Sequence, residues 1–262
     1  MFEPPLDLSA ARILVSNDDG IHATGIKVLE RIARSLSDDV WVVAPETEQS
    51  GAGHSLTIAR PLRIRRLDDR HFAVDGTPTD SVLLAVKQIM KKRPPDLVLS
   101  GINRGANLGE DITYSGTIAA AMEGTLLGIP SIAFSQMATY DGPTKWATAE
   151  HFAAGIVRRL GTLSWGRNIL MNVNFPDLPA GEARGTVITR QGRRKIGSLL
   201  AERLDPRGKP YYWITTQRDE DMSAEDSDIR GVNDGYISIT PLYMDLTHAG
   251  SIPALERAFD DG

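Results

Sequence analysis

The sequence predicts an α/β protein: a Rossmann-like, doubly wound, mostly parallel sheet with a C-terminal β-hairpin extension. Three observations predict it. Short apolar runs rich in β-branched residues recur through the first half of the chain. Stretches with helical apolar spacing separate them. Near Gly185 the texture changes, and strand-like segments of lower apolar density alternate with polar loops. Continuous apolar strands between amphipathic helices belong in a parallel sheet covered on both faces.

Arg12–Ser16 (RILVS), Val40–Ala44 (VWVVA), Asp96–Ser100 (DLVLS), Ser131–Ser135 (SIAFS) and Ile169–Asn174 (ILMNVN) read as the buried strands. Between them, Ile26, Leu29, Ile32 and Ala33 share one helical face. Val82, Val86, Ile89 and Met90 share another, as do Ile118, Ala121, Met122 and Thr125 to Leu126, and then Phe152, Ile156 and Val157. Residues 56–75 alternate apolar and polar side chains about an Asp68-Asp69 turn and read as a hairpin or meander. Thr186–Arg190, Tyr211–Thr216 and Tyr236–Thr240 are expected strands with no clean helix between them. A basic cluster (Arg190, Arg193, Arg194, Lys195) precedes an acidic one (Asp219, Glu220, Asp221, Glu225, Asp226, Asp228). Solvated loops are the first reading of both clusters, and a subunit interface is the alternative. Extended hairpins with little core of their own need something to pack on.

Composition bounds the function. The chain has 262 residues, 41% hydrophobic and 24% charged, too apolar for a disordered chain. With 29 Lys and Arg against 34 Asp and Glu, the net charge of −5 disfavours general binding to nucleic-acid polymers. The absence of Cys excludes disulfides, thiolate metal sites and cysteine nucleophiles, and fits a reducing cytoplasm. MFEPPLDLSAAR lacks the basic and apolar regions of a signal peptide, and no apolar run approaches the ~20 residues of a membrane span. No membrane partner is expected.

In open α/β sheets, ligands bind beyond the carboxyl ends of the strands. The first strand is followed by Asn17-Asp18-Asp19-Gly20, the second by a loop containing Ser50, and Asp96–Ser100 by Gly101-Ile102-Asn103-Arg104-Gly105-Ala106-Asn107. Two carboxylates ~4 Å apart at an effective dielectric of ~20 repel by roughly 4 kcal/mol. One must take a proton, or a cation must sit beside them. Asp18, Asp19, Ser50 and Asn103 form an all-oxygen set suited to Mg²⁺ or Mn²⁺ rather than zinc. Asp-Asp-Gly alone is equally a turn signal, and it is convergence from separate strand ends that favours the metal.

Tyr114-Ser115-Gly116-Thr117 precedes a helical run, so free backbone N–H groups and two hydroxyls would form a phosphate cradle beside that metal. An ordinary N-cap is the plainer reading. In Gly76-Thr77-Pro78-Thr79-Asp80, Thr79 is the expected N-cap with Asp80 in the first turn. None of His22, His54, His71, His151 and His248 has a second His at i+4. His54 and His22 lie near the site in sequence, His71 and His151 read as surface residues, and His248 as a loop residue. No G-x-G-x-x-G, P-loop or G-x-S-x-G motif occurs.

ILVSNDDGIHATGI, APETEQSGAGHSLT, GTPTDS, VLSGINRGANLGEDITYSGTIAAAMEG, NVNFP and DGYISITPLYMDLT follow one another in this order. Together, over roughly residues 12–247, they resemble the SurE family of stationary-phase survival proteins, metal-dependent 5′-nucleotidases. The chain departs at Ser81, where many relatives carry Cys. The resemblance implies a catalytic core over 1–184. It implies a β-rich extension with a terminal helix over 185–262, swapped between subunits of a homodimer or homotetramer. It places one divalent cation per subunit, Mg²⁺ or Mn²⁺, on Asp18, Asp19, Ser50 and Asn103. It implies hydrolysis of nucleoside 5′-monophosphates, with 3′-monophosphates and short polyphosphate as further substrates.

On this reading Asn107, Ser115, Gly116 and Thr117 hold the phosphate. Either a water or one of the catalytic pair Asp18 and Asp19 attacks phosphorus. Two rivals remain open at this stage. One is a non-catalytic, metal-dependent nucleotide or phosphate sensor. The other is a nucleotide-sugar transferase with an acidic metal pair, disfavoured by the lack of a recognisable acceptor domain.

Overall fold

The structure, a computed structural model, describes residues 5–139, 142–196, 200–215 and 218–260. Its strands are β1 (Arg12–Ser16), β2 (Asp39–Pro45), β3 (Ile64–Arg66), β4 (His71–Val74), β5 (Leu97–Arg104), β6 (Ser131–Gln136) and β7 (Ile169–Phe175). Beyond these come β8 (Thr186–Ile188), β9 (Arg194–Ile196), β10 (Leu200–Leu204), β11 (Pro210–Ile214), β12 (Arg218–Glu220) and β13 (Ile237–Tyr243). The helices are α1 (Thr24–Arg34), α2 (Pro78–Leu84), α3 (Gly116–Leu126), α4 (Trp146–Leu160), α5 (Asp228–Asn233) and α6 (Ile252–Ala258).

Nine strands form one sheet in the order β3-β4-β2-β1-β5-β6-β7-β13-β8. β4, β2, β1, β5, β6 and β7 run parallel, while β3 and β13 are antiparallel to β4 and β7. Side chains of β1 alternate between two cores, because successive residues of a strand point to opposite faces. Ile13 and Val15 meet Ile26 and Leu29 of α1 and Ile156 of α4 on one face. Leu14 meets Val82 of α2 and Ala120 of α3 on the other. Fully buried side chains such as Leu14 and Leu29 each contribute roughly 2 kcal/mol of transfer free energy.

The winding reverses beside β1. The chain travels outward from β1 to β2 and β4, then returns to β5 on the other side and continues to β6 and β7. That switch point opens a crevice at the carboxyl ends of β1 and β5. The carboxylate pair and Asn103 lie there.

Several expectations are corrected. Asn103 lies within β5 rather than in a loop. After a register shift beyond Ser100, Asn103 and Arg104 pair with Ser135 and Gln136 of β6. The N-cap of α2 is Thr77, not Thr79. Its hydroxyl accepts from the Asp80 backbone N–H at 3.1 Å while Asp80 Oδ2 accepts from the Thr77 N–H at 2.9 Å. A short helix, α5, does lie between the C-terminal strands, with Ser227 as its N-cap.

The charge clusters are not simply solvated. β9 and β12 pair antiparallel, setting Lys195 opposite Asp219 and Arg194 opposite Glu220. Arg194 is buried and bridges to Asp111 at 3.1 Å. Asp228 is buried and accepts from the backbone N–H groups of Gly109 and Gly192 at 3.0 and 2.8 Å. After residue 184 the chain also gives β8 and β13 to the main sheet. Thr216, the end of an expected strand, lies outside the described residues, as do Met1–Pro4 of the segment read as lacking a leader.

Candidate functional site

The turn after β1 is built to present carboxylates. Asn17 donates its side-chain amide to the Gly20 carbonyl at 3.0 Å, and Gly20 takes a φ of +97°, which glycine tolerates without strain. Gln49 N–H donates to the Asp18 carbonyl at 2.8 Å, drawing the Ser50 loop across the turn.

Asp18 is buried, and burial pushes its pKa up. The start of α3 opposes that shift: the Thr117 hydroxyl donates to Asp18 Oδ1 at 2.5 Å, and the Thr117 backbone N–H also donates to it. The open N–H groups of a helix start suit an anion, and here Asp18 is that anion. A Cβ on Gly116 would lie 2.6 Å from the Asp18 Cβ, so glycine is what allows α3 to approach so closely.

Asp19 is pushed up to about 7, chiefly by burial and then by the negative charges of Asp18 and Glu48. The Arg104 backbone N–H and guanidinium charge oppose this in part. Four carboxylates line the cleft among the described residues: Asp111 is bridged by Arg194, while Asp18, Asp19 and Glu48 share the one lining arginine, Arg104. Such a site is short of positive charge, and a divalent cation would relieve it.

The neutral donors converge on the same cleft, which has a volume of about 420 Å³. Asp18, Asp19, Ser50, Asn103, Asn107 and Ser115 all line it. Asn103 gives its amide N–H to the Gly105 carbonyl at 2.8 Å, leaving Oδ1 as its acceptor. Ser50 Oγ donates to Glu48 at 2.7 Å. Asn107 is fixed from behind, with its backbone N–H on Asn174 Oδ1 and its side-chain amide on Ser135 Oγ, both at 2.8 Å. The donor chemistry fits Mg²⁺ or Mn²⁺: two carboxylates, a hydroxyl and an amide oxygen, with neither His nor Cys among the described residues that line the cleft.

Gly116 and Thr117 do not line the cleft; they stand behind Asp18. Ser115 is the N-cap of α3, and its hydroxyl accepts from Ile118 N–H at 3.1 Å. His54 Nε2 lies 3.1 Å from Glu123 Oε2 of α3 and lies outside the cleft lining. His22 and His151 are exposed, His71 contacts Asp68 and Glu30, and exposed His248 contacts Ser251. Sequence reasoning gave no role to Glu48, Arg104 or Tyr114, all of which line the cleft. Arg104 was the one with a usable signal, since it directly follows Asn103.

The model of the family described as Survival protein SurE matches residues 13–198. The chain belongs to the SurE family. A SurE relative from Paramagnetospirillum magneticum, named 5′-nucleotidase SurE, is 64% identical over 98% of this chain and 99% of its own length. Another of that name, from Rhodospirillum rubrum, is 55% identical over 99% of this chain and all of its own length. The crystal structure of the SurE protein from Aquifex aeolicus superposes with a TM-score of 0.83 at 42% identity, covering 95% of this chain and 100% of that one. The doubly wound α/β sheet is therefore a SurE fold.

Proposed function

We propose that the chain is a metal-dependent phosphomonoesterase, a 5′-nucleotidase that hydrolyses nucleoside 5′-monophosphates to nucleoside and phosphate. The name shared by its full-length relatives supports the substrate class. The convergence of Asp18, Asp19, Ser50 and Asn103 on one cleft carries the chemistry. We extend the reading to 3′-monophosphates and short polyphosphate, because the cleft is open and polar.

Asp18, Asp19, Ser50 and Asn103 would hold one Mg²⁺ or Mn²⁺. A cation there would supply positive charge against the phosphoryl oxygens as negative charge builds on them. Asn107, rigid in its network with Asn172, Asn174 and Ser135, orients a phosphate oxygen. Ser115 adds a hydroxyl at the cleft wall. Gly116 and Thr117 serve the phosphate site through Asp18, which they hold in place. Arg104 balances the carboxylates and adds a further cation toward the substrate.

We assign the chemistry to residues 1–184 and self-association, as a homodimer or homotetramer, to 185–262. The β10–β11 hairpin of that region leaves Leu200, Leu204, Trp213 and Ile214 exposed. Among the described residues no helix is long and apolar enough to cross a membrane. The cysteine-free composition fits a cytoplasmic location.

A phosphate-release panel of nucleoside 5′- and 3′-monophosphates and short polyphosphates, run with Mg²⁺ or Mn²⁺ and again with a chelator, tests the reading. Release from AMP that the chelator abolishes is expected. Binding of AMP without release would make the protein a sensor and overturn the enzymatic reading.

A further inference from the structure

We infer that Tyr114 is the platform on which the base of the nucleotide stacks, with Lys195 of the C-terminal extension holding the ring in place. The inference rests on the nucleotidase reading and deepens it, naming the residue that separates nucleotides from other phosphate esters.

Tyr114 lines the cleft and is 43% exposed. It is the one aromatic residue among the described residues that line it. An aromatic ring open to water gives up much of the burial that usually positions such a side chain. This residue is nevertheless held by its own turn and by two other segments, one of which grips the ring itself. Its backbone N–H donates to the Asp111 carbonyl at 3.0 Å, and its carbonyl accepts from Gly53 N–H at 3.1 Å in the loop that carries Ser50. Lys195 Nζ donates to the phenolic hydroxyl and lies 4.6 Å from the ring centroid.

Lys195 is itself placed by its neighbour. Arg194 is buried against Asp111 at 3.1 Å and reaches Glu220 of β12 at 3.3 Å, which fixes β9 against the rim of the cleft. The ring is thus ordered before any ligand arrives, and little freedom is lost when a planar group lies on it.

Placement fits the substrate. Tyr114 immediately precedes Ser115 and stands three residues before Thr117, whose hydroxyl holds Asp18. A phosphate near Asp18, Asp19 and Asn103 would leave the rest of the molecule extending along the wall that Tyr114 forms. The cleft volume of about 420 Å³ falls in the range of small-molecule sites and exceeds what a phosphate alone requires. Stacking uses the face that every base presents, so the platform accepts purines and pyrimidines and favours the larger purine rings.

The test compares kcat/KM for AMP with kcat/KM for ribose 5-phosphate, which keeps the ester and lacks the base, using the full chain with Mn²⁺. In Tyr114→Ala the ratio of the two values falls by about 5- to 150-fold, the span expected for one lost base–aromatic stack. Tyr114→Leu keeps apolar bulk without an aromatic face and lowers the ratio in the same direction. Tyr114→Phe keeps it within about threefold of wild type. A ratio that stays within twofold of wild type in both Ala and Leu variants overturns the platform, whether activity toward both esters falls together or neither falls. A wild-type protein that releases no phosphate from AMP overturns the nucleotidase reading and the platform with it, so the two failures are distinguishable.

Discussion

Replacing Asp19 with Asn removes a carboxylate whose charge the metal-free fold opposes. Burial, with Asp18 and Glu48 beside it, raises the Asp19 pKa from 3.8 to about 7. A carboxylate with a higher pKa in the folded protein binds its proton more tightly there than in the unfolded chain. Metal-free wild type therefore loses stability as pH rises from about 4 to about 7, and the loss is complete above 7. At ~1.4 kcal/mol per pH unit, that interval bounds the cost near 4 kcal/mol. Asp19 keeps partial contact with water, so we take roughly half, about 2 kcal/mol.

The assay is urea unfolding of wild type and Asp19→Asn in EDTA at pH 4 and pH 8. The variant should be more stable by about 2 kcal/mol at pH 8 and nearly equal at pH 4. Added Mn²⁺ should restore the wild type and leave the variant, which should release no phosphate, largely unmoved. A variant less stable than wild type at pH 8 in EDTA, or a difference that ignores pH, would refute the reasoning.

The remaining predictions concern the same corner of the fold. Because Mn²⁺ must displace the Asp19 proton, its affinity should rise up to about tenfold per pH unit below pH 7 and level off above it. Calorimetry in buffers of different ionisation enthalpy should count about one proton released; none released at pH 6 would contradict it. Thr117→Val removes the hydroxyl that holds Asp18 and should weaken Mn²⁺ binding roughly 10- to 100-fold while the protein stays folded, read by metal titration and circular dichroism. Gly116→Ala should cost about 1–3 kcal/mol in urea unfolding, because its methyl would sit 2.6 Å from the Asp18 Cβ; unchanged stability would show that α3 can retreat.

Much of the fold was legible because its signals are local. β1 begins and ends where the RILVS run does, since Asn17-Asp18-Asp19-Gly20 turns the chain at once. The hairpin of β3 and β4 follows from alternation about Asp68, whose carboxylate accepts from the backbone N–H groups of Arg70 and His71. β5 reads short in the sequence because Gly101 interrupts it at a φ of +121°. Only its pairing with β6 carries the strand onward to Arg104. α5 spans six residues, too few for a period to register.

The clustering of Asp18, Asp19, Ser50 and Asn103 was legible because a topological switch point gathers strand ends. What sequence position does not encode is the direction of each side chain. Thr117 turns back to Asp18 rather than into the cleft, and His54 turns to Glu123. Arg194, read within a solvated charge run, buries its guanidinium because Asp111 and Glu220 come from distant segments to meet it.

Anomalous X-ray scattering from crystals grown with Mn²⁺ tests the central claim most directly. The account predicts a single strong peak per subunit, with oxygen atoms of Asp18, Asp19, Ser50 and Asn103 around it. Scattering located elsewhere on the molecule, or a cleft that stays free of manganese at saturating concentration, would contradict it.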